Sequence, residues 1–126
     1  KRVAQSVTAS VADDWLPATD YRAPLEPDHR DSSAGAVAAC GLLEIASHVP
    51  ELEQTPYLNA AWRLLRSLDR HCTCWDDPGE EGLLLHGSHA YFPLASGNPN
   101  DTPIIYGDYF FAEALFRLRG RDELFW

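Results

Sequence analysis

Residues 31–48 constrain the fold of this chain more than any other segment. No charged residue occurs between positions 33 and 43, and most of the side chains there are small. A helix without a polar face lies among other helices, and small side chains let those neighbours approach closely. Asp31 or Ser32 can cap the first turn, because a side-chain oxygen at that position accepts a backbone amide that would be unpaired. The segment therefore predicts a buried helix in an all-α fold.

Two further helices are predicted from apolar residues that recur at helical spacing. Residues 3–16 form the first, which follows two positive charges, Lys1 and Arg2, and has no capping residue. Such a start is unusual, so the chain is expected to begin inside a longer element. The second helix is expected to begin with Thr55 as its cap and Pro56 in its first position. Its apolar stripe comprises Leu58, Ala61, Trp62, Leu65 and Leu68. Because its other face is polar, this helix is expected to lie outside the buried one.

A last helix is predicted from about residue 108 to residue 119. Asp108 would supply a cap or first-turn negative charge, and Glu113 and Arg117 have the spacing of a favourable ion pair. Gly120 suits the position just after the last turn. Most of the remaining side chains are apolar, so this helix is also expected to be largely buried. No alternating β-branched segment has the length of a strand, and no sheet domain is predicted.

Charge and composition exclude several classes of function. The net charge of −9 opposes binding to nucleic acid or to an anionic membrane surface, since both would repel the chain. No apolar run approaches the roughly 18 residues that a membrane span requires. The number of cysteines, 3, is odd, which favours a reducing compartment such as the cytoplasm. The Cys-x-Cys pair at positions 72 and 74 lacks a second pair at zinc-ligand spacing, so no metal site is predicted.

Two ordered stretches resemble a known family. The sequences RDSSAGA (30–36) and GLLE (41–44), followed by LLLHG (83–87) and IYGDYFFAEAL (105–115), resemble the C-terminal third of unsaturated glucuronyl hydrolases, glycoside hydrolase family 88. The resemblance implies an (α/α)6 barrel of inner and outer helices. Residues 1–126 would then be a single C-terminal fragment that supplies about the last two helical hairpins, and the remaining N-terminal part of the barrel would be its partner.

The resemblance also implies a reaction. Enzymes of this family act on oligosaccharides that polysaccharide lyases leave with a 4,5-unsaturated uronic acid at the non-reducing end. An aspartate hydrates the vinyl-ether double bond, and the resulting hemiketal rearranges to release the sugar, without a metal or organic cofactor. The family's catalytic aspartates lie upstream of the matched region, so no catalytic residue is assigned in this chain. Asp31 and Asp108 are interpreted as helix caps.

By the same resemblance, four residues on the loop after Leu85 are expected to line the sugar pocket. Their hydroxyl and imidazole groups would pair with sugar hydroxyls or a carboxylate, and an aromatic ring would stack on a pyranose face. The four residues are His86, Ser88, His89 and Tyr91. Some family members carry a sulfate-binding Ser-x-x-Ser-x-Lys pattern here. The run GSHAYF (87–92) lacks the lysine, which predicts a preference for unsulfated substrates.

Two alternatives stay open at the level of sequence. A related barrel, the unsaturated rhamnogalacturonyl hydrolase, performs the same chemistry on pectin fragments, although the DSSA sequence at residues 31–34 favours the glucuronyl type. A non-catalytic helical binding module is the other alternative. The two nearly all-apolar helices argue against such a module, because the isolated chain would expose apolar faces and is expected to aggregate.

Overall fold

The computed structural model describes residues 1–11, 13–21, 30–89 and 102–120 of the chain. The helices in these ranges are α1 (Arg2–Ser10), α2 (Ser32–Ser47), α3 (Glu51–His71) and α4 (Ile105–Leu118). The described residues contain isolated β-bridges between loops but no β-strand. The predicted all-α fold class is confirmed. Within the same ranges, no helix combines the length and the apolar character needed to cross a membrane.

Helix α2 is the centre of the arrangement, with α3 and α4 packed against it. Asp31 caps it as predicted, since its Oδ1 accepts the Ser33 backbone amide at 3.0 Å. Ala36 and Ala39 are completely buried. Within the described residues α2 is not covered on all sides, because Val37 is 42% exposed. Among the described helices, the short helix α1 is the one that approaches that side, and it leaves an apolar face of α2 open. This agrees with the expectation that a fragment of a barrel exposes apolar faces.

Helix α3 begins earlier than the sequence predicted, at Glu51 rather than after Thr55. Pro56 therefore lies inside the helix instead of in its first position. A proline removes the hydrogen bond to the carbonyl four residues before it, here that of Leu52. Leu52 is 97% exposed, so water can bind that carbonyl. Glu51 and Glu53 in the first turn also favour the early start, because negative charge is stabilised at a helix N-terminus.

The buried side of α3 is rotated relative to the predicted stripe. Ala61, Leu65 and Leu68 are buried as predicted, but Leu58 and Trp62 are exposed, the latter to 59%. Small residues determine this orientation: a methyl group added at Gly35 would lie 3.2 Å from a methyl carbon of Leu68. The exposed face of α3 carries its arginines, as the outer-helix prediction requires.

Helix α4 begins at Ile105, three residues before the predicted start, and α1 ends at Ser10 rather than near residue 16. Asp108 supplies negative charge in the first turn of α4, one of its two predicted roles, but it is not the cap. Its Oδ1 accepts the backbone amide of Leu84 at 2.8 Å. The early end of α1 coincides with a local bond in which the Asp14 carboxylate accepts the Leu16 amide at 3.0 Å. A side-chain bond of this kind competes with helix continuation. Gly120 follows α4 with a φ of +71°, as predicted.

A charged network lies between α2 and α4. Arg117 Nε donates to Glu113 Oε1 at 2.8 Å, which confirms the predicted pair, and Arg117 Nη1 donates to Glu44 Oε2 at 2.5 Å. Burial opposes the charged form of Arg117, but these hydrogen bonds outweigh it and raise the pKa of the guanidinium. Burial also raises the pKa of the nearby Cys40 thiol to about 12, and the charge of Glu113 adds to the shift. Cys40 Sγ donates to the Phe110 carbonyl oxygen at 3.0 Å.

The close approach of α4 to α2 predicts that Gly107 does not tolerate a side chain. A Cβ there would lie 3.1 Å from Ser33 Cβ and 3.3 Å from Ser33 Cα. Since a backbone atom cannot move aside cheaply, we expect Gly107→Ala to lower the free energy of unfolding by about 1–3 kcal/mol, as overpacking does. Urea denaturation would measure it. Ile105→Ala, a change to an exposed residue of the same turn, is the control. Equal stability of the two variants would contradict the packing.

The raised pKa of Cys40 predicts a loss of stability at alkaline pH. The folded thiol binds its proton more tightly than the unfolded thiol, whose pKa is near 9.0. Its contribution is therefore complete below pH about 9 and is lost as the pH rises toward 12. We expect Cys40→Ala to flatten the fall of the melting temperature over this range. Cys74→Ala, at a partly exposed position, should leave the fall unchanged. If the melting temperature of the Cys40→Ala variant fell with pH as steeply as that of the unsubstituted protein, the raised pKa of Cys40 would be refuted as the cause.

Candidate functional site

The N-terminal end of α2 joins the helix to the loop that carries the predicted sugar-binding residues. Asp31 Oδ1 accepts the Ser33 hydroxyl at 2.6 Å and the Ser88 backbone amide at 3.2 Å, in addition to the capping bond. The Ser32 amide donates to the His86 carbonyl oxygen at 2.9 Å. A single carboxylate thus orders the first turn of α2 and anchors the loop beside it.

The same loop is held from its other side by residues that precede α4. Gly87 and Thr102 exchange two backbone hydrogen bonds, each of 3.0 Å. A Cβ at Gly87 would lie 2.8 Å from the Thr102 carbonyl oxygen, so this position requires glycine. The bond from the Leu84 amide to Asp108 fixes the preceding residues. Both aspartates that were interpreted as helix caps therefore bind backbone amides.

The loop presents two exposed imidazoles from a constrained backbone. His86 has a φ of +62°, which is uncommon for a residue other than glycine and persists only where neighbouring contacts impose it. The side chains of His86 and His89 are exposed, whereas Ser88 is buried, with 6% of its surface accessible. Tyr91, the fourth residue of the predicted set, lies outside the described residues.

An open cleft of about 480 Å³ runs along the uncovered face of α2 next to α1. Its walls are mostly apolar, and its polar side chains belong to five residues, namely Lys1, Tyr21, Asp31, Ser33 and Tyr106. Burial raises the pKa of the Tyr21 phenol, and the charge of Asp31 adds to the shift. Tyr21 therefore keeps its proton at neutral pH and can donate a hydrogen bond.

The predicted loop residues and the cleft adjoin through Asp31 but are not the same set. His86, Ser88 and His89 do not line the cleft, whereas Tyr21 and Tyr106 do. Tyr106 had no predicted role, although it lies in the IYGDYFF run of residues 105–111. An aromatic residue inside an apolar motif is usually part of the core, so sequence alone offered no signal. The described residues contain no group of three or more metal-ligating side chains.

The position of Asp31 predicts that its removal affects both the helix and the loop. We expect Asp31→Ala to lower the free energy of unfolding by about 1–2 kcal/mol through loss of the cap, with a further cost because the Ser88 amide loses its acceptor. Asp31→Asn keeps one acceptor oxygen and should cost less. Asp13→Ala, at an exposed aspartate, should be nearly neutral in the same urea titration. Equal effects at Asp31 and Asp13 would exclude the proposed role.

Comparison with known proteins identifies relatives of this fold. No family model matches the chain. An unsaturated glucuronyl hydrolase of Bacillus sp. strain GL1 is 37% identical over 129 residues, which cover 100% of this chain and 33% of that protein. An unsaturated chondroitin disaccharide hydrolase of Streptococcus pneumoniae is 39% identical over 100 residues, covering 77% of this chain and 24% of that protein.

Solved structures similar to this chain carry the same name as the Bacillus relative. The crystal structure of the Bacillus unsaturated glucuronyl hydrolase, described as responsible for the degradation of glycosaminoglycan, superposes with a TM-score of 0.83 at 39% identity, over 94% of this chain and 32% of that one. The Streptococcus agalactiae enzyme superposes with a TM-score of 0.84 at 30% identity, over 98% of this chain and 31% of that one.

The chain spans about a third of the length of the Bacillus relative. Its helices correspond to a part of an (α/α)6 barrel, as the sequence predicted. Sequence identity that extends over the whole chain, together with matching helices, places this chain in the family of the unsaturated glucuronyl hydrolases.

Proposed function

We propose that this chain is part of a glycoside hydrolase that releases 4,5-unsaturated uronic acid from the non-reducing end of lyase-generated oligosaccharides. The observation that carries the proposal is the 37% identity to an unsaturated glucuronyl hydrolase over the full length of the chain. A further solved relative with a TM-score of 0.84 was determined with the oligosaccharide dGlcA-Glc-Rha-Glc. Another was determined with dGlcA-GalNAc6S. Unsaturated glucuronyl oligosaccharides are therefore the substrate class to test first.

In the proposed reaction, water adds across the vinyl-ether double bond, with a proton going to one carbon and a hydroxyl group to the other. The hemiketal that forms then opens and releases the neighbouring sugar, so no oxidant, metal or organic cofactor enters the balance. The aspartate that moves the proton is proposed to lie outside this chain. Asp31 and Asp108 each accept a backbone amide. These bonds suit the two aspartates to holding the backbone in place rather than to transferring a proton.

The residues of this chain would contribute substrate binding. The imidazoles of His86 and His89 are exposed on a loop that Asp31 and Thr102 anchor. Each imidazole can donate to or accept from a sugar hydroxyl, and a protonated one can pair with the uronate carboxylate. An anchored loop loses little freedom when substrate binds, which favours correct orientation. Ser88 and Tyr91 complete the proposed set, with Ser88 holding the loop through its amide.

The remainder of the barrel is the proposed partner of the open face of α2. The open face of α2 exposes Val37 and Gly41, and Val3 of α1 lies beside them. The Bacillus relative is about three times as long as this chain, and a full-length protein of that size would have further helices to cover the face. Small residues on this face would allow a neighbouring helix to approach α2 as closely as α3 does on the other side.

Hydrolysis of two unsaturated disaccharides by the full-length protein tests the proposed function. Loss of the ultraviolet absorbance of the conjugated double bond reports turnover. We expect turnover of an unsaturated glucuronyl disaccharide, and slower turnover when its neighbouring sugar carries sulfate. Faster turnover of an unsaturated rhamnogalacturonyl disaccharide would favour the related pectin-directed enzyme. Absence of turnover on both substrates would favour a binding module.

The proposed sugar contact of His89 predicts a kinetic defect. We expect His89→Ala to raise KM for the unsulfated disaccharide about tenfold, the equivalent of one lost hydrogen bond of about 1.4 kcal/mol. His48→Ala, which removes an exposed histidine at the far end of α2, is the matched control and should change KM less than about twofold. Equal KM values for the two variants would count against His89 as a substrate contact.

Coverage of the open face can be tested at Gly41. A Cβ added there meets nothing within 4 Å in the described residues. If another helix packs on this face, Gly41→Leu should destabilise the full-length protein by about 1–3 kcal/mol through overpacking. Asn59→Leu, at an exposed position of α3, should have little effect. A neutral Gly41→Leu substitution would show that the face is not covered.

A further inference from the structure

A second cleft, of about 490 Å³, lies on the exposed face of α3 beside the turn of residues 13–15. It shares no lining residue with the cleft along α2. Helix α3 lines it with Arg63, Arg66, Ser67, Arg70 and His71, and the turn contributes Asp13, Asp14 and Trp15. The proposed catalytic function makes no use of this feature.

The three arginines outnumber the two carboxylates, Asp13 and Asp14, that line the cleft with them. Within the described part of the chain, no ion pair involves Arg63, Arg66 or Arg70. The carboxylate of Asp14 is already engaged, because Arg30 Nε donates to its Oδ2 at 3.0 Å. Like charges three and four residues apart destabilise a helix by about 0.2–0.5 kcal/mol per pair. In a protein with a net charge of −9, this local excess of positive charge suits an anionic ligand.

One of the three guanidinium groups is held in place before any ligand binds. Arg63 Cζ lies 5.0 Å from the centroid of the Trp15 ring, within the range of a cation–π interaction. Trp15 has a φ of +61°, an uncommon conformation for such a bulky residue. The Ser67 hydroxyl donates to the Asp14 carbonyl oxygen, and the Leu16 amide donates to the Asp14 carboxylate. Backbone strain maintained by several contacts is characteristic of sites with a function.

We propose that this arginine cleft binds the carboxylates of an acidic oligosaccharide, as a second site separate from the catalytic pocket. The identity of the ligand rests on the proposed function, which supplies uronate-bearing oligosaccharides. A guanidinium group pairs with a carboxylate through two parallel hydrogen bonds. Arg63 and Arg70 are about 10 Å apart along the helix axis, which suits anionic groups on separate sugars. A dense polyanion such as nucleic acid is disfavoured by the net negative charge of this chain.

Binding of saturated trigalacturonate to the full-length protein tests this proposal. The probe carries carboxylates but no double bond to hydrate, and calorimetric titration measures its dissociation constant. We expect the combined substitution of Arg63, Arg66 and Arg70 by alanine to weaken binding at least about tenfold, the equivalent of about 1.4 kcal/mol. Arg66→Ala alone, which leaves the Trp15 contact intact, should weaken it less. Arg119→Ala, at an exposed arginine directly after α4, is the control and should leave binding unchanged.

Three results would overturn the proposal. They are equal trigalacturonate affinity of the triple variant and the natural protein, equal binding of neutral maltotriose, and a loss of disaccharide hydrolysis in parallel with the loss of binding. The last result would place the arginines in the catalytic pocket. Arginine-dependent binding by a protein that hydrolyses no unsaturated disaccharide would support the cleft while refuting the proposed function, so the two failures can be distinguished.

Discussion

The carboxylate of Asp31 is the group on which the remainder of the arrangement depends. It accepts the amide of Ser33, the hydroxyl of Ser33 and the amide of Ser88. A carboxylate at this position offsets the partial positive charge of a helix N-terminus, and here it also determines where the loop after Leu85 lies. The apolar sequence of α2 causes its burial, but Asp31 determines the direction in which the helix begins. The hydrogen bond from the Ser88 amide to Asp31 holds the loop that carries the two histidines proposed to bind substrate.

Close packing of small residues is the second requirement of the fold. Gly107 lies against the start of α2, and Gly35 lies against Leu68 of α3. Both contacts bring helices nearer than larger side chains would permit, and the resulting gain in packing compensates for the low helix propensity of glycine. Between α2 and α4, the same closeness encloses the pair of Arg117 and Glu113. The interface between α2 and α3 is therefore apolar, whereas the interface between α2 and α4 also contains an ion pair.

Local signals in the sequence were sufficient for the features that local chemistry controls. The cap at Asp31, the pair between Glu113 and Arg117 and the left-handed Gly120 each depend on residues within one turn, and all three were predicted correctly. The limits of α1, α3 and α4 were predicted less accurately, and the role of Asp108 depends on a distant residue. Asp108 binds an amide 24 residues away, so its own helix gave no indication of that role.

The predicted buried face of α3 was partly wrong for a related reason. Leu58 and Trp62 satisfy the helical period, yet the small residues on α2 favour a slightly rotated contact that leaves both exposed. At the candidate site, the resemblance indicated the loop but could not place its histidines relative to Tyr21 and Tyr106, which come from segments far apart in sequence. The arginine cleft was not predicted from the sequence, because the polar face of α3 was interpreted only as a surface in contact with water.

The bonds across the start of α2 have a dynamic consequence. Ser32 donates to His86, and Ser88 donates to Asp31, so the first helical turn and the loop close a small ring of backbone and side-chain contacts. Helix ends ordinarily fray independently of their surroundings, with opening free energies far below that of global unfolding. This end cannot open without releasing the loop. Helix fraying and loop motion therefore form one cooperative unit, in which a ligand that immobilises the loop would also protect the first turn of α2 from hydrogen exchange.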